Sequence, residues 1–87
     1  MVTKMKNRNF TTIVAKKRTL DEMLQPGQKI KVFYSERNPN NQIRHIRAIV
    51  DNEFIAYRVW SKRKRLWMYN IQHRYNFELG YERGVLS

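Results

Sequence analysis

The stretch from Ile43 to Phe77, IRHIRAIVDNEFIAYRVWSKRKRLWMYNIQHRYNF, reads as two consecutive β-hairpins. Side chains of a strand alternate between the two faces of a sheet, so apolar residues two apart share a face. Ile55, Tyr57 and Val59 follow this spacing, as do Trp67, Tyr69 and Ile71. Asp51-Asn52 separates two apolar runs, and both residue types tolerate positive φ, which suits a two-residue hairpin loop. That loop sets Ile46 opposite Tyr57 and Ala48 opposite Ile55. A second turn centred on Arg63 sets Val59 opposite Trp67, Tyr57 opposite Tyr69 and Ile55 opposite Ile71. In that register Ile46, Ala48, Ile55, Tyr57, Val59, Trp67, Tyr69 and Ile71 all fall on one face, the expected core side.

The opposite face then carries Ile43, His45, Arg47 and Ile49, next Phe54, Ala56, Arg58 and Trp60, next Leu66, Met68 and Asn70, with His45 opposite Arg58. It is too apolar to be purely solvent-facing, yet it holds charges that a closed core would leave unpaired. Either a further layer covers part of it, or it is a binding face with aromatic rings between cations.

The rest of the chain is organised around this unit. Its 87 residues make one small domain with a modest core. The absence of cysteine excludes disulfides and thiolate metal sites. No apolar run approaches the roughly 20 residues of a spanning helix, and the N-terminus lacks the apolar core of a signal peptide. A cytoplasmic protein, monomer or homodimer, with no membrane association is expected.

The net charge of +11 is unevenly distributed. Residues 1–18 hold six Lys/Arg and no acid, and residues 62–65 are all basic. Residues 19–41 and 66–87 each balance to zero, and 42–61 add one positive charge. Solubility alone does not require such segregation, and a basic excess of this size favours polyanions: DNA, RNA or the acidic face of a protein.

Residues 1–18 read as a basic arm, expected to be mobile up to Asn9, with a possible short strand over Phe10–Ala15 and a Lys16-Lys17-Arg18 run. Residues 19–87 read as a single β domain. Thr19 with Glu22 three residues on forms a capping box, and Leu20, Met23 and Leu24 share one face of a short helix that Pro26-Gly27 ends. Gln28–Ser35 alternates as a strand, and Asn38-Pro39-Asn40-Asn41 marks a turn. Tyr75, Phe77 and Leu79 continue the alternation beyond His73, and the tail is open between strand and helical turn. The expected fold is mainly β with one short helix and five or six short strands. It is a small curved antiparallel sheet or a partly open barrel.

Two resemblances bear on this reading. Pro26-Gly27-Gln28-Lys29-Ile30-Lys31-Val32 is similar to the opening strand of SH3-like barrels, over seven residues. Ile43–Asp51, Tyr57–Lys62 and Phe77–Leu79 through Gly84–Ser87 look like small uncharacterised basic proteins encoded by bacteriophages and prophages, over roughly the C-terminal half. The second resemblance implies no particular activity or catalytic residue. It implies an accessory binder that acts on nucleic acid or disables a host factor.

Catalytic groupings are sparse. His45 and His73 are the two histidines, and no Ser-His-acid spacing, Gly-rich phosphate loop or metal-ligand cluster occurs. Glu78 and Glu82, four apart, suit a helix surface better than an acid/base pair. A non-enzymatic protein without metal or cofactor is therefore expected. The chemistry that remains is recognition: Arg and Lys neutralise phosphates, and aromatic faces stack on unpaired bases.

The residues assigned to contact are Lys16, Lys17, Arg18, Arg44, Arg47, Arg58, Trp60, Lys62, Arg63, Lys64 and Arg65. Trp67, placed toward the core, is assigned a mainly structural role. The leading expectation is DNA or RNA held through the arm and the hairpin tip. The alternative is a phage-encoded inhibitor or accessory factor that binds an acidic or nucleic-acid-binding host protein, such as a nucleic-acid-processing or defence enzyme, through the mixed face around Ile43, His45, Arg58, Trp60 and Met68.

Overall fold

Thr19 opens the fold by capping the first helix. The computed structural model describes residues 17–87. The Glu22 amide donates to Thr19 Oγ1 at 3.2 Å and the Thr19 amide donates to Glu22 Oε1 at 2.8 Å, completing the capping box of α1 (Leu20–Met23). Gly27, at φ 93°, then turns the chain into β1 (Lys29–Val32). Three longer strands follow: β2 (Gln42–Val50), β3 (Phe54–Ser61) and β4 (Leu66–His73). They form an open, four-stranded antiparallel sheet in the order β1-β2-β3-β4. The chain ends with α2 (Arg74–Glu82) and a short return segment.

The fold is thus mainly β, with four strands among the described residues where five or six were expected in the whole chain, and a second helix where the sequence left strand or helical turn open. The basic arm up to Lys16, including the candidate strand over 10–15, lies outside the described residues. β1 is shorter than the expected Gln28–Ser35. The reason for α2 is local. His73 Nδ1 accepts the Tyr75 amide at 3.0 Å, and this N-cap turns the chain out of the sheet. At the other end the Val85 amide donates to the Gly80 carbonyl and the Gly84 amide to the Tyr81 carbonyl, each at 3.1 Å, with Gly84 at φ 74°. This Schellman pattern sends Val85–Ser87 back along β1, where Leu86 bridges Val32.

The core lies between the helices and one face of the sheet. It comprises Met23, Leu24, Ile30, Val32, Ile46, Ile55, Tyr57, Phe77 and Leu86. The Tyr57 and Phe77 rings meet edge to face at 5.9 Å.

The first hairpin follows the expected register in part, although its loop is three residues, Asp51, Asn52 and Glu53, and not the expected two. Asp51 and Asn52 both take positive φ, 54° and 56°, and the Glu53 amide donates to the Val50 carbonyl at 3.0 Å. Ile46 pairs with Tyr57 and His45 with Arg58, as expected. A shift between Ile46 and Ala48 then pairs Ala48 with Ala56 instead of Ile55. The extra residue at this irregularity turns Ile49 from the expected outward face to the core side, where it packs half-buried.

The second hairpin is one residue out of the expected register. The tip is a four-residue loop, Lys62–Arg65, with Arg65 at φ 57° and its amide donating to the Ser61 carbonyl at 2.7 Å. Ser61 therefore pairs with Leu66, Trp60 with Trp67, Val59 with Met68 and Arg58 with Tyr69. A one-residue slip exchanges the faces of a whole strand. Trp67, Tyr69 and Ile71 stand on the side away from the core, while Met68, Asn70 and Gln72 share the side of Val59, Tyr57 and Ile55. The polar residues on that side find partners: Asn70 Nδ2 donates to the Tyr57 hydroxyl at 3.2 Å, and Gln72 Oε1 accepts from Arg44 at 3.4 Å.

Candidate functional site

Pairing across the strands gives the open face its residues. Lys29 stands opposite His45 and Lys31 opposite Ile43; His45 faces Arg58, Arg58 faces Tyr69, and Trp60 faces Trp67. Opposed residues on antiparallel strands lie on the same side, so these side chains form one surface on the side away from both helices. It is unusually apolar for a face that no other element of the described residues covers. Trp60 is 46% exposed and Tyr69 66%, and Ile43, Phe54 and Ile71 are exposed beside them.

At its centre is a stacked group. The Arg58 guanidinium lies over the Trp67 ring, 3.9 Å from the centroid, and its Nη1 donates to the Tyr69 hydroxyl at 3.1 Å. Trp60 and His45 meet Trp67 edge-on at 5.2 Å and 4.9 Å. Arg58 Nε is buried and has no hydrogen-bond partner among the described residues. Partial burial, followed by the nearby charges of Lys29, Arg58 and Arg47, pushes the His45 pKa below its ordinary value.

The charges are sorted by element. The four strands contain Lys29, Lys31, Arg44, Arg47 and Arg58 and not one carboxylate. The acids sit on the helices, in the turns and in the 36–41 loop. Asp21 and Glu78 both pair with Arg74, the latter at 3.4 Å, and Glu53 accepts from His73 Nε2 at 3.2 Å. The open face therefore presents positive charge with no acid of its own strands to neutralise it.

Beside Trp60 an open depression of about 700 Å³ lies between the Asn38–Asn41 loop and the tip. Asn41, Ile43, His45, Trp60, Ser61 and Lys62 are among the residues that line it. Its size is in the range of small-ligand sites.

Of the residues singled out in the sequence, Arg47, Arg58, Trp60 and the tip Lys62, Arg63, Lys64 and Arg65 lie on or beside this face. Three others do not meet there. Arg44 points to the core side, with its guanidinium 4.6 Å from the Tyr57 centroid and 5.3 Å from that of Phe77. Lys17 Nζ lies over the Tyr81 ring at 5.0 Å, and Arg18 donates to Gln28 Oε1 and the Lys29 carbonyl, each at 3.1 Å. Lys16 falls outside the described residues. Trp67 and Tyr69 are the residues that sequence reasoning misplaced, because their alternation reads equally well for either face. Their signal was the four consecutive basic residues of the tip, which a three-residue loop cannot contain.

Among the described residues no group of three or more His, Asp or Glu side chains is placed to hold a metal ion. None of their helices is long and apolar enough to cross a membrane. No family model, curated protein or solved structure matches the chain.

Proposed function

We propose that the protein binds single-stranded nucleic acid across the open face of its sheet. The observation that carries this reading is the pairing of exposed aromatic rings with cations on a surface whose strands contain no carboxylate. Bases stack on aromatic faces whatever their sequence, and phosphates follow a positive groove. A duplex hides its base faces and offers only phosphates and groove edges, so an aromatic platform favours unpaired strands. In this reading Trp60 and Tyr69 receive bases, Arg58 orders Trp67 and Tyr69 from below, and one nucleotide occupies the depression beside Trp60. Lys29, Lys31, Arg47 and the Lys62–Arg65 tip contact phosphates. The protein acts by binding and has no catalytic step.

The test is fluorescence anisotropy with a labelled oligonucleotide, on protein freed of co-purified nucleic acid. The single strand should bind at least tenfold more tightly than the matching duplex near physiological salt. Equal affinity for both would reduce the reading to phosphate contact through the tip.

A second reading rests on the apolar part of the same face. Exposed Ile43, Phe54 and Ile71 beside Arg58 and Trp60 also suit the centre of a protein interface. The partner would be an acidic or nucleic-acid-binding host protein, as the likeness to small phage proteins implies. Loss of all nucleic-acid binding at physiological salt, with a stoichiometric protein complex that Trp60→Ala abolishes, would favour it.

A further inference from the structure

The two edges of the sheet are treated differently. Along β1 the outward backbone groups are occupied. Lys31 exchanges hydrogen bonds with Ser87 at 2.8 and 3.0 Å, the Phe33 amide donates to the Val85 carbonyl at 2.9 Å, and Arg18 caps the Lys29 carbonyl. Along β4 no strand of the described residues lies outside.

The direction of the β4 backbone follows from one bond. The Arg74 amide donates to the Glu53 carbonyl at 2.7 Å, in the same register as the β3–β4 ladder. Bonding direction alternates along a strand, so the even-numbered residues of β4 face β3 and the backbone groups of Trp67, Tyr69 and Ile71 point off the sheet. The Ile71 amide accordingly donates to the Asn70 side chain, at 2.8 Å, and not to β3.

Apart from the Asn70 side chain on the Ile71 amide, this edge lacks the usual protections among the described residues. Leu66–Gln72 contains no charge, no proline and no glycine, and Leu66, Met68, Tyr69 and Ile71 are all exposed. Edge strands that must stay single commonly carry lysine, proline or a bulge.

We propose that β4 pairs antiparallel with β4 of a second copy, about a two-fold axis at Tyr69. The centre follows from the sequence. With the axis at Tyr69 the whole uncharged stretch pairs with itself, Trp67 opposite Ile71 and Leu66 opposite Gln72 of the other copy. Outward-pointing Trp67, Tyr69 and Ile71 supply the hydrogen bonds, the Ile71 amide exchanging the Asn70 side chain for the Trp67 carbonyl of the other copy. Such an interface is self-complementary and closed, so it stops at two. It also separates like charges: the two Lys62–Arg65 tips lie at opposite ends of the shared ladder. Each tip comes to the end of the other copy where Asp51, Glu53 and His73 lie. The two sheets become one, and the two open faces one continuous surface. The pairing is independent of what that surface binds.

The chain has no cysteine, so a single introduced thiol is a clean probe. Opposed residues in a hydrogen-bonded antiparallel pair have Cα atoms about 5.5 Å apart, within disulfide range. Full-length Tyr69→Cys should oxidise rapidly to a covalent dimer, and Ile43→Cys, on the same face but two strands away, should not. Sedimentation velocity of the unaltered chain over a wide concentration range should show a monomer–dimer equilibrium. Ile71→Pro removes an outward amide and leaves the β3–β4 ladder intact; Ile71→Lys keeps the backbone and adds a charge. Both should move the dimer midpoint at least tenfold upward in concentration while circular dichroism stays unchanged. A chain that is monomeric throughout, a dimer indifferent to both Ile71 variants, or equal oxidation of the two cysteine variants would overturn the proposal.

Discussion

Trp60 stands directly opposite Trp67 on adjacent strands, their rings 5.2 Å apart and inclined at 73°. The pair lies on the side of the sheet away from both helices, beside Arg58. Trp67 is held by Arg58 and His45 while Trp60 is left 46% exposed, so the first serves as support and the second as contact.

Trp60→Ala and Tyr69→Ala should each weaken single-strand binding substantially with little change in folding. A stacked base contributes about 1–3 kcal/mol, or about 5- to 150-fold in affinity. Anisotropy titrations and thermal unfolding measure the two quantities. Unaltered affinity in both variants would remove stacking from the mechanism.

The tip contributes through charge. Reversing Arg63 and Arg65 to Glu should weaken binding and flatten its salt dependence. Each phosphate left without its cation lowers the logarithmic slope by about 0.7 for single strands, so the slope of the double variant should fall by about 1.4 if both residues touch phosphate. A slope equal to that of the unaltered protein would exclude the tip.

Arg44 separates structure from binding. It lies over Tyr57 and Phe77 on the core side and bonds Gln42 and Gln72. Arg44→Ala removes its cation–π stacking and the packing of its stem, which should cost about 1–2 kcal/mol of stability and leave the salt slope unchanged. Denaturant unfolding and a salt series test the two halves of this statement.

Acidification should act on stability and binding with opposite signs. Burial and neighbouring cations hold the His45 pKa below its ordinary value of 6.5. The unfolded chain then takes up a proton at higher pH than the folded one. The associated stability is complete above about pH 6.5 and is lost as pH falls through the folded pKa. A phosphate brought to the face favours the protonated ring, so affinity should rise over the same interval. His45→Gln should flatten both profiles between about pH 7.5 and 5; a profile that does not change would exclude His45 from the site.

The sequence revealed much of the fold because its local signals agree. Thr19 and Glu22 specified a capping box, and Asp51-Asn52 specified a turn whose φ values are both positive. The pairings Ile46–Tyr57 and His45–Arg58 hold although the loop is one residue longer than expected, because the irregularity between Ile46 and Ala48 absorbs the extra residue. The second hairpin was harder to read. Trp67, Tyr69 and Ile71 alternate as a core strand would, yet their face depends on whether Arg65 belongs to the loop. A non-glycine residue at φ 57° decides that, and no apolar pattern encodes it. The helix at Arg74–Glu82 was obscured in the same way. Tyr75, Phe77 and Leu79 have the spacing of a strand, but the His73 cap redirects the backbone, and Phe77 alone of the three is fully buried. At the site the charge was legible, since residues 62–65 and the acid-free strands are visible in the sequence. Trp60 beside Arg58 was legible too, but Trp67 and Tyr69 were not, because their face depends on the slipped register.

The most direct test of the central claim uses the two tryptophans as their own reporters. In Trp67→Phe the remaining fluorescence comes from Trp60, and in Trp60→Phe from Trp67. Adding an unlabelled single-stranded oligonucleotide near physiological salt should strongly quench the Trp60 signal, as a base stacks on the exposed ring, and change the Trp67 signal much less. Saturable binding by anisotropy with no quenching of Trp60 would contradict base stacking on the open face.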